Sequence, residues 1–190
     1  PICFMKNMLS PSDWLTREER KVLLERSDWR GAYEVLFDWI VIGASFALVI
    51  YFPNPLSYLV AWLVIGGRQL ACSVVMHDTG HIALFKTRWL NDFAGKWFGA
   101  YPVLSDMMAY RPYHNVHHVH NGTEDDPDLL LTANYPAQAI SIARKFFRDL
   151  SGQTGIKAQF AFVLMQVGIL KYNLGKKVER ITDPKPTTRS

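Results

Sequence analysis

Residues 35–76 read VLFDWIVIGASFALVIYFPNPLSYLVAWLVIGGRQLACSVVM, and this stretch decides the fold. It holds two apolar runs, 35–52 and 56–76, each interrupted by a single charge, Asp38 in the first and Arg68 in the second. A helix needs about 20 residues to cross the hydrocarbon of a bilayer, so each run is long enough to span. Between them Pro53-Asn54-Pro55 is a turn, because proline fixes the backbone and cannot continue a helix. The expected unit is a transmembrane hairpin, and the expected fold class is mainly α. At 1.5 Å per residue Asp38 and Arg68 both lie about 20 Å from the bend. Charges at that depth are costly unless paired or turned inward, so an ion pair or an inward polar contact is expected.

Orientation follows from the basic residues. The turn has none, whereas Lys6, Arg17, Arg20, Lys21, Arg26 and Arg30 precede the hairpin and Lys86, Arg88, Lys96 and Arg111 follow it. The positive-inside tendency therefore puts the open ends of the hairpin on the cytoplasmic side, where residue 77 emerges.

Outside the hairpin the chain divides into a polar, amphipathic N-terminal segment, 1–34, a membrane domain, 35–175, and a polar tail, 176–190. In the first, Thr16 with Glu19 reads as a capping box, and Ser27 is placed to cap the next helix. Residues 97–110 are apolar but broken by Pro102, Ser105 and Asp106, too short to span, and fit a re-entrant or interfacial segment. Pro112 then reads as the first turn of a short helix that Gly122 ends. An acidic loop follows at 123–128, and an apolar run at 158–170 either starts another membrane helix or lies on the surface. The tail, with Pro184 and Pro186, lacks apolar periodicity and reads as unstructured.

The 49% hydrophobic content is concentrated in these runs, which a soluble core would not need. A net charge of +4, carried by basic residues beside the apolar runs, suits anionic lipid headgroups; no nucleic-acid motif is present and no nucleic-acid partner is expected. Cys3 and Cys72 are too few and too far apart in sequence for a disulfide framework or a thiolate zinc site. The chain opens on Pro1 without a signal peptide and stops at Ser190 without a terminal element, so a fragment of a longer product is expected.

All six histidines fall between positions 77 and 120, as His77-x-x-x-His81 and His114-x-x-His117-His118-x-His120. Imidazole coordinates transition metals as the neutral ring, and residues three or four apart share one helix face. His114, His117 and His118 lie within about 100° of one another on a helix, while His120 points away. Five histidines at ligand spacing beside a membrane indicate a metal centre. A zinc-protease helix is a poor match, since Asp78 stands where the general-base glutamate would be, and the second trio exceeds what a three-ligand hydrolytic zinc needs.

These motifs resemble the membrane fatty acid desaturase superfamily. His77-Asp78-Thr79-Gly80-His81 is similar to its first histidine box and His114-Asn115-Val116-His117-His118 to its second. Gly122-Thr123-Glu124-Asp125-Asp126-Pro127-Asp128 is similar to bacterial members and to carotenoid ketolases. Arg88-Trp89-Leu90-Asn91-Asp92 and Arg148-Asp149-Leu150-Ser151-Gly152-Gln153-Thr154-Gly155 look like the desaturase branch.

The resemblance implies an integral membrane helical protein whose cytoplasmic or interfacial helices carry the boxes, with its active site on the cytoplasmic face. It implies two irons, O₂ as cosubstrate, a fatty acyl lipid substrate, and electrons from a ferredoxin, rubredoxin or cytochrome b5-like donor. His77, His81, His114, His117 and His118 are the expected ligands. Asp78, Asp126, Asp128 and His120 either orient imidazole N–H groups or are solvated loop and cap residues. No histidine follows His120, so the third box of the family is absent and the site is half built. The alternatives are a carotenoid ketolase or hydroxylase of the same superfamily, or a truncated, non-catalytic metal-binding membrane protein.

Overall fold

A computed structural model of the chain describes residues 14–132, 135–175 and 179–181. Helix α1, Arg17–Leu23, opens on the expected capping box: Thr16 Oγ1 accepts from Glu19 N, and the Glu19 carboxylate accepts from Thr16 N at 2.8 Å. The hairpin follows as α2, Asp28–Tyr51, and α3, Pro55–Gly80. Both helices are longer than the apolar runs. Asn54 caps α3 with its side chain, accepting from Leu56 N and Ser57 N, and Pro55 takes the first helical position, where a missing N–H costs nothing.

Two expectations, the Ser27 cap and the place of Pro112, are corrected here. Ser27 is the N-cap residue of α2 but makes no side-chain cap bond; the carboxylate of Asp28 turns instead to Thr87, accepting from its N at 2.8 Å and its Oγ1 at 2.7 Å. The first turns of α2 are closely packed: Gly31 lies so near Leu84 and Phe85 that a Cβ would sit 2.7 Å from the Leu84 carbonyl. Pro112 is not in the first turn of its helix. That helix, α5, runs Met107–His120 from an Asp106 cap whose carboxylate accepts from Met108 N at 2.7 Å, so Pro112 lies in its interior.

Both hairpin helices are long and apolar enough to cross a membrane, and only 17% and 22% of their most apolar stretches are buried. The core helix of a soluble protein would be mostly covered; here Ile40, Ile50, Trp62 and Leu63 stand outward. The two charges inside meet, with Arg68 Nη1 2.7 Å from Asp38 Oδ1. Ser45 Oγ donates to Val41 O at 2.8 Å, so this buried hydroxyl is also satisfied.

Beyond the hairpin, α4, Arg88–Ala94, continues through a π-helical turn, Gly95–Ala100, and a 3₁₀ turn, Tyr101–Val103. This bent segment lies against α3. A Cβ on Gly99 would fall 2.7 Å from Met76 N, and one on Gly95 would collide with Met107 and Thr79, so small residues permit the approach. Asn91, fully buried, fixes the α3–α4 loop by accepting from Phe85 N and donating to Phe85 O and Thr87 O. Val35, Val75, Phe85 and Ala94 form one core cluster; Met76, Ala100, Met107 and Tyr110 form a second beneath α5.

The chain then forms α6, Leu129–Thr132, α7, Ala139–Leu150, and α8, Gln153–Gln166. Only residues 158–166 of the 158–170 run are helical, as the last part of this 14-residue helix, which is short of a full span. Most of the tail lies outside the described residues. Residues 179–181 of it pair back rather than standing free, Lys171 N donating to Glu179 O and Ile181 N to Ile169 O, each at 3.0 Å.

The Asp38–Arg68 pair generates the first prediction. Removing either partner alone leaves the other charge uncompensated, at a cost of about 3 kcal/mol, the low end for buried pairs because Arg68 is partly exposed. Asp38→Asn and Arg68→Gln together should cost less than the sum of the two, by at least about 1 kcal/mol in detergent unfolding. Strict additivity would mean the pair contributes nothing.

Candidate metal centre

The C-terminal turn of α3 carries His77 and His81, and α5 carries His114 and His118, both pairs at i, i+4 on one face. The two faces meet. Ring centroids are 4.8 Å apart for His77 and His114, 4.7 Å for His81 and His118, and 5.0 Å for His81 and His114. One nitrogen from each of the four rings lies within 4.8 Å of the other three, and Nε2 of His118 is 3.0 Å from Nε2 of His114. Four neutral imidazoles around one small volume form a donor set for a transition-metal cation, so the residues fit the metal their chemistry implies.

His117 is the fifth of the expected set and stands beside this group, its ring 5.6 Å from those of His114 and His118. Its Nδ1 is 2.8 Å from Asp126 Oδ1 and 3.8 Å from Asp128 Oδ2. A carboxylate at Nδ1 fixes that nitrogen as the N–H and leaves Nε2 as the free donor. Asp78 does the same at His77, with Oδ1 2.8 Å from Nδ1. His120 is outside the four-ring group, and its carbonyl accepts from Thr123 N and Oγ1.

The acidic loop is built around Asp126, which is 4% exposed and accepts from Gly122 N and Asp128 N as well as His117. Asp128 accepts from the Tyr113 hydroxyl, which itself accepts from Leu174 N and Gly175 N at 3.1 Å, so the strand of chain after α8 is tied to the second box.

The turn after His81 gives α3 a tightly specified end. Ala83 N donates to Asp78 O and Ile82 N to Thr79 O, a Schellman pattern whose left-handed position, φ 56°, is taken by Ile82. A β-branched residue is strained there. Its carbonyl is held by Arg26 Nη1 at 2.5 Å.

A fatty acid desaturase family model matches residues 53–186, which includes both histidine pairs and the acidic loop. The chain belongs to the fatty acid desaturase family. Among its relatives, an sn-1 acyl-lipid omega-3 desaturase (ferredoxin) of Nostoc sp. (strain 36) is 33% identical over 48% of this chain and 25% of its own length. An sn-1 oleoyl-lipid 12-desaturase of Anabaena variabilis is 27% identical over 64% of this chain and 35% of its own. A dihydrorhizobitoxine desaturase of Bradyrhizobium elkanii is 35% identical over 60% and 33%. This desaturase-family chain therefore spans 25–35% of the length of these relatives. No solved structure matches it.

Two residues of the site were not singled out by the sequence reading. Tyr110 stacks on His114, centroids 4.8 Å apart and planes 16° from parallel; burial pushes its phenol well above the ordinary range. Arg111 joins three elements: Nε donates to Gly80 O at 3.0 Å, and Nη2 donates to Thr79 O at 3.2 Å and Asp92 Oδ1 at 2.7 Å. Arg111 precedes His114 by three residues on α5, and Thr79 and Gly80 lie between His77 and His81. The only available signal was that spacing, which places Arg111 on the face of His114.

Burial, and then the neighbouring imidazoles of His77, His118 and His81, push the His114 ring down to about 4, and burial also lowers His81. The His117 hydrogen bond, with the Gly122 and Asp128 amides, holds Asp126 down to about 2.

Two predictions arise in this desaturase-family site. Arg111→Ala leaves the Gly80 carbonyl unpaired and Asp92 without its cation, and should destabilise by about 3 kcal/mol. Arg111→Lys should recover less than half of this, because an ammonium lacks the planar fork, and both should weaken Co²⁺ binding in an optical titration. The second concerns pH. A ring held below its ordinary value near 6.5 takes up protons more readily unfolded than folded, so its contribution is complete above pH 6.5 and is lost as pH falls toward 4. The metal-free chain should therefore lose melting temperature over that interval and again below about 3.8 as Asp126 protonates, and His114→Ala should flatten the first decline.

Proposed function

We propose that this chain is the membrane hairpin and imidazole core of an O₂-dependent acyl-lipid desaturase that acts at a di-iron centre. The observation that carries this reading is the convergence of His77, His81, His114 and His118 from two helices at the open end of a hairpin long enough to span a bilayer. In this reading these four rings hold metal, His117 contributes through Nε2, and Asp78 and Asp126 fix the rings of His77 and His117. Bound iron would supply what no side chain can, activation of O₂ for oxidation of an unactivated C–H bond.

The protein's own part is to keep the rings neutral and aimed. The depressed His114 value favours an unprotonated, ligating ring at neutral pH. The Tyr110 ring closes one side of the group, while His81 and His118 are exposed on the other. That open side is where the remaining ligands of a two-iron site would arrive. Five imidazoles are too few for two irons, so in this reading the remaining ligands come from outside this group.

The relatives named as acyl-lipid desaturases favour an acyl-lipid substrate and olefin formation over the oxygen insertion of a ketolase. The ferredoxin in one relative's name favours that donor, and the basic flanks of the hairpin favour a cytoplasmic site.

The test has two arms. The purified 190-residue chain should bind about one equivalent of Fe²⁺ or Co²⁺ under anaerobic titration, and His114→Ala with His118→Ala should abolish it. Two tightly held irons would refute the half-site. The complete reading frame, expressed with its donor, should add a double bond to membrane acyl chains only when O₂ is supplied, read by gas chromatography. An oxygenated product would instead mark a ketolase or hydroxylase.

A further inference from the structure

Helix α7, AISIARKFFRDL, has two chemically different sides. At about 100° per residue, Ile140, Ile142, Phe146, Phe147 and Leu150 occupy an arc of about 160°, and Arg144, Lys145, Arg148, Ser141 and Asp149 fill the rest. Three cations against one anion leave that side with a surplus of two positive charges. Lys145 is already bound to Asp149 at 2.6 Å, so the surplus resides mainly on the two arginines. The five apolar side chains are 52–71% exposed, and no residue of α7 is buried. An amphipathic helix of a soluble domain turns its apolar arc into the core; this arc meets no core among the described residues.

The position of α7 indicates what covers it. It turns into α8 through Ser151 and Gly152, whose φ of 76° suits glycine. On α8, Gln159 and Phe162 line one cavity of about 360 Å³ with Gln69, Leu70 and Ser73 of α3. Those α3 residues lie in the half of the span nearer the open end, so α8 stands beside that end of the hairpin. α7 packs on α8, which ties it to this hairpin-bound part of the chain. With 12 residues it is about 18 Å long, too short to cross and of a length to lie flat. Ser141, Lys145 and Arg148, together with Ile142 and Leu131, line an open cavity of about 550 Å³ beside Tyr135 and Gln138, so cationic and apolar groups share one recess.

We infer that α7 lies in the plane of the cytoplasmic leaflet, its apolar arc among the acyl chains and Arg144, Lys145 and Arg148 against anionic phospholipid headgroups. The charge selects the occupant: the apolar arc is bordered by a positive surplus on Arg144 and Arg148, which lipid phosphates meet at the water boundary while the arc enters the acyl chains. This inference depends on the hairpin being in a membrane and is independent of the metal chemistry.

The test uses the full 190-residue chain, with Cys3→Ser and Cys72→Ala, reconstituted in phosphatidylcholine vesicles that contain or lack phosphatidylglycerol. An environment-sensitive fluorophore is placed through Phe147→Cys on the apolar arc or Ser141→Cys on the polar side, and quenched by spin-labelled lipid. Quenching at 147 should be at least about twofold that at 141 and should rise with phosphatidylglycerol. Arg144→Gln with Arg148→Gln should weaken this interfacial occupancy about fivefold per neutralised charge. Raised salt should do the same in the unneutralised chain, which keeps the result independent of any folding defect in the double variant. A label at 147 that is in water, or that is dry but beyond reach of the lipid quencher because protein covers it, would overturn the inference. So would equal quenching with and without the anionic lipid. Co²⁺ titration of the same samples reads the histidine group separately.

Discussion

A helix that stops leaves its last carbonyls without donors, and α3 stops where the two halves of the imidazole group have to meet. The His77 carbonyl takes the amide of His81, that of Asp78 takes Ala83, and that of Thr79 takes Ile82. The Gly80 carbonyl is reached by Arg111 Nε from α5. The same guanidinium touches Thr79 O and is neutralised by Asp92 of α4. Completing the end of α3 and setting the approach of α5 are therefore one event. Because His114 follows Arg111 by a single turn, the hydrogen bonds that close one helix also bring the second pair of rings to the first.

The hairpin beneath that junction is held by a different balance. In hydrocarbon an apolar face gains little from meeting another apolar face, so polar contacts and close packing determine which sides of α2 and α3 turn together. Asp38 and Arg68 supply the first between α2 and α3, and the glycines of the π-helical segment supply the second where its backbone approaches Met76 of α3. Gly31 plays the same part at the Phe85 loop. The rigid end of α3 is thus supported from below by the pair and from the side by a bent segment that bulkier residues would push away.

Crowding four imidazoles also has an electrostatic consequence. Each protonated ring would repel its neighbours and lose hydration, and the lowered values of His114 and His81 express that cost. The carboxylates of Asp78 and Asp126 stand at the rim, where each fixes one ring nitrogen and leaves the other free. Asp126 is itself held by two backbone amides, so its loop is an ordered support for His117 and not merely a solvated stretch.

Much of this was legible along the chain. Two apolar runs around Pro53-Asn54-Pro55, each with one charge at equal depth, specify a hairpin and its ion pair because hydrophobic length and helical rise are local properties. The i, i+4 histidines likewise announce a metal-binding face, and Thr16 with Glu19 announces a helix start. What the sequence could not decide by itself was where α5 begins, since Asp106 outcompeted Pro112 as the start signal, and which of five histidines share one volume. Nor could it show that His117 stands aside with Asp126, or that Arg111 joins three helices. Those outcomes depend on the crossing and register of segments thirty residues apart, which packing sets and no local periodicity encodes.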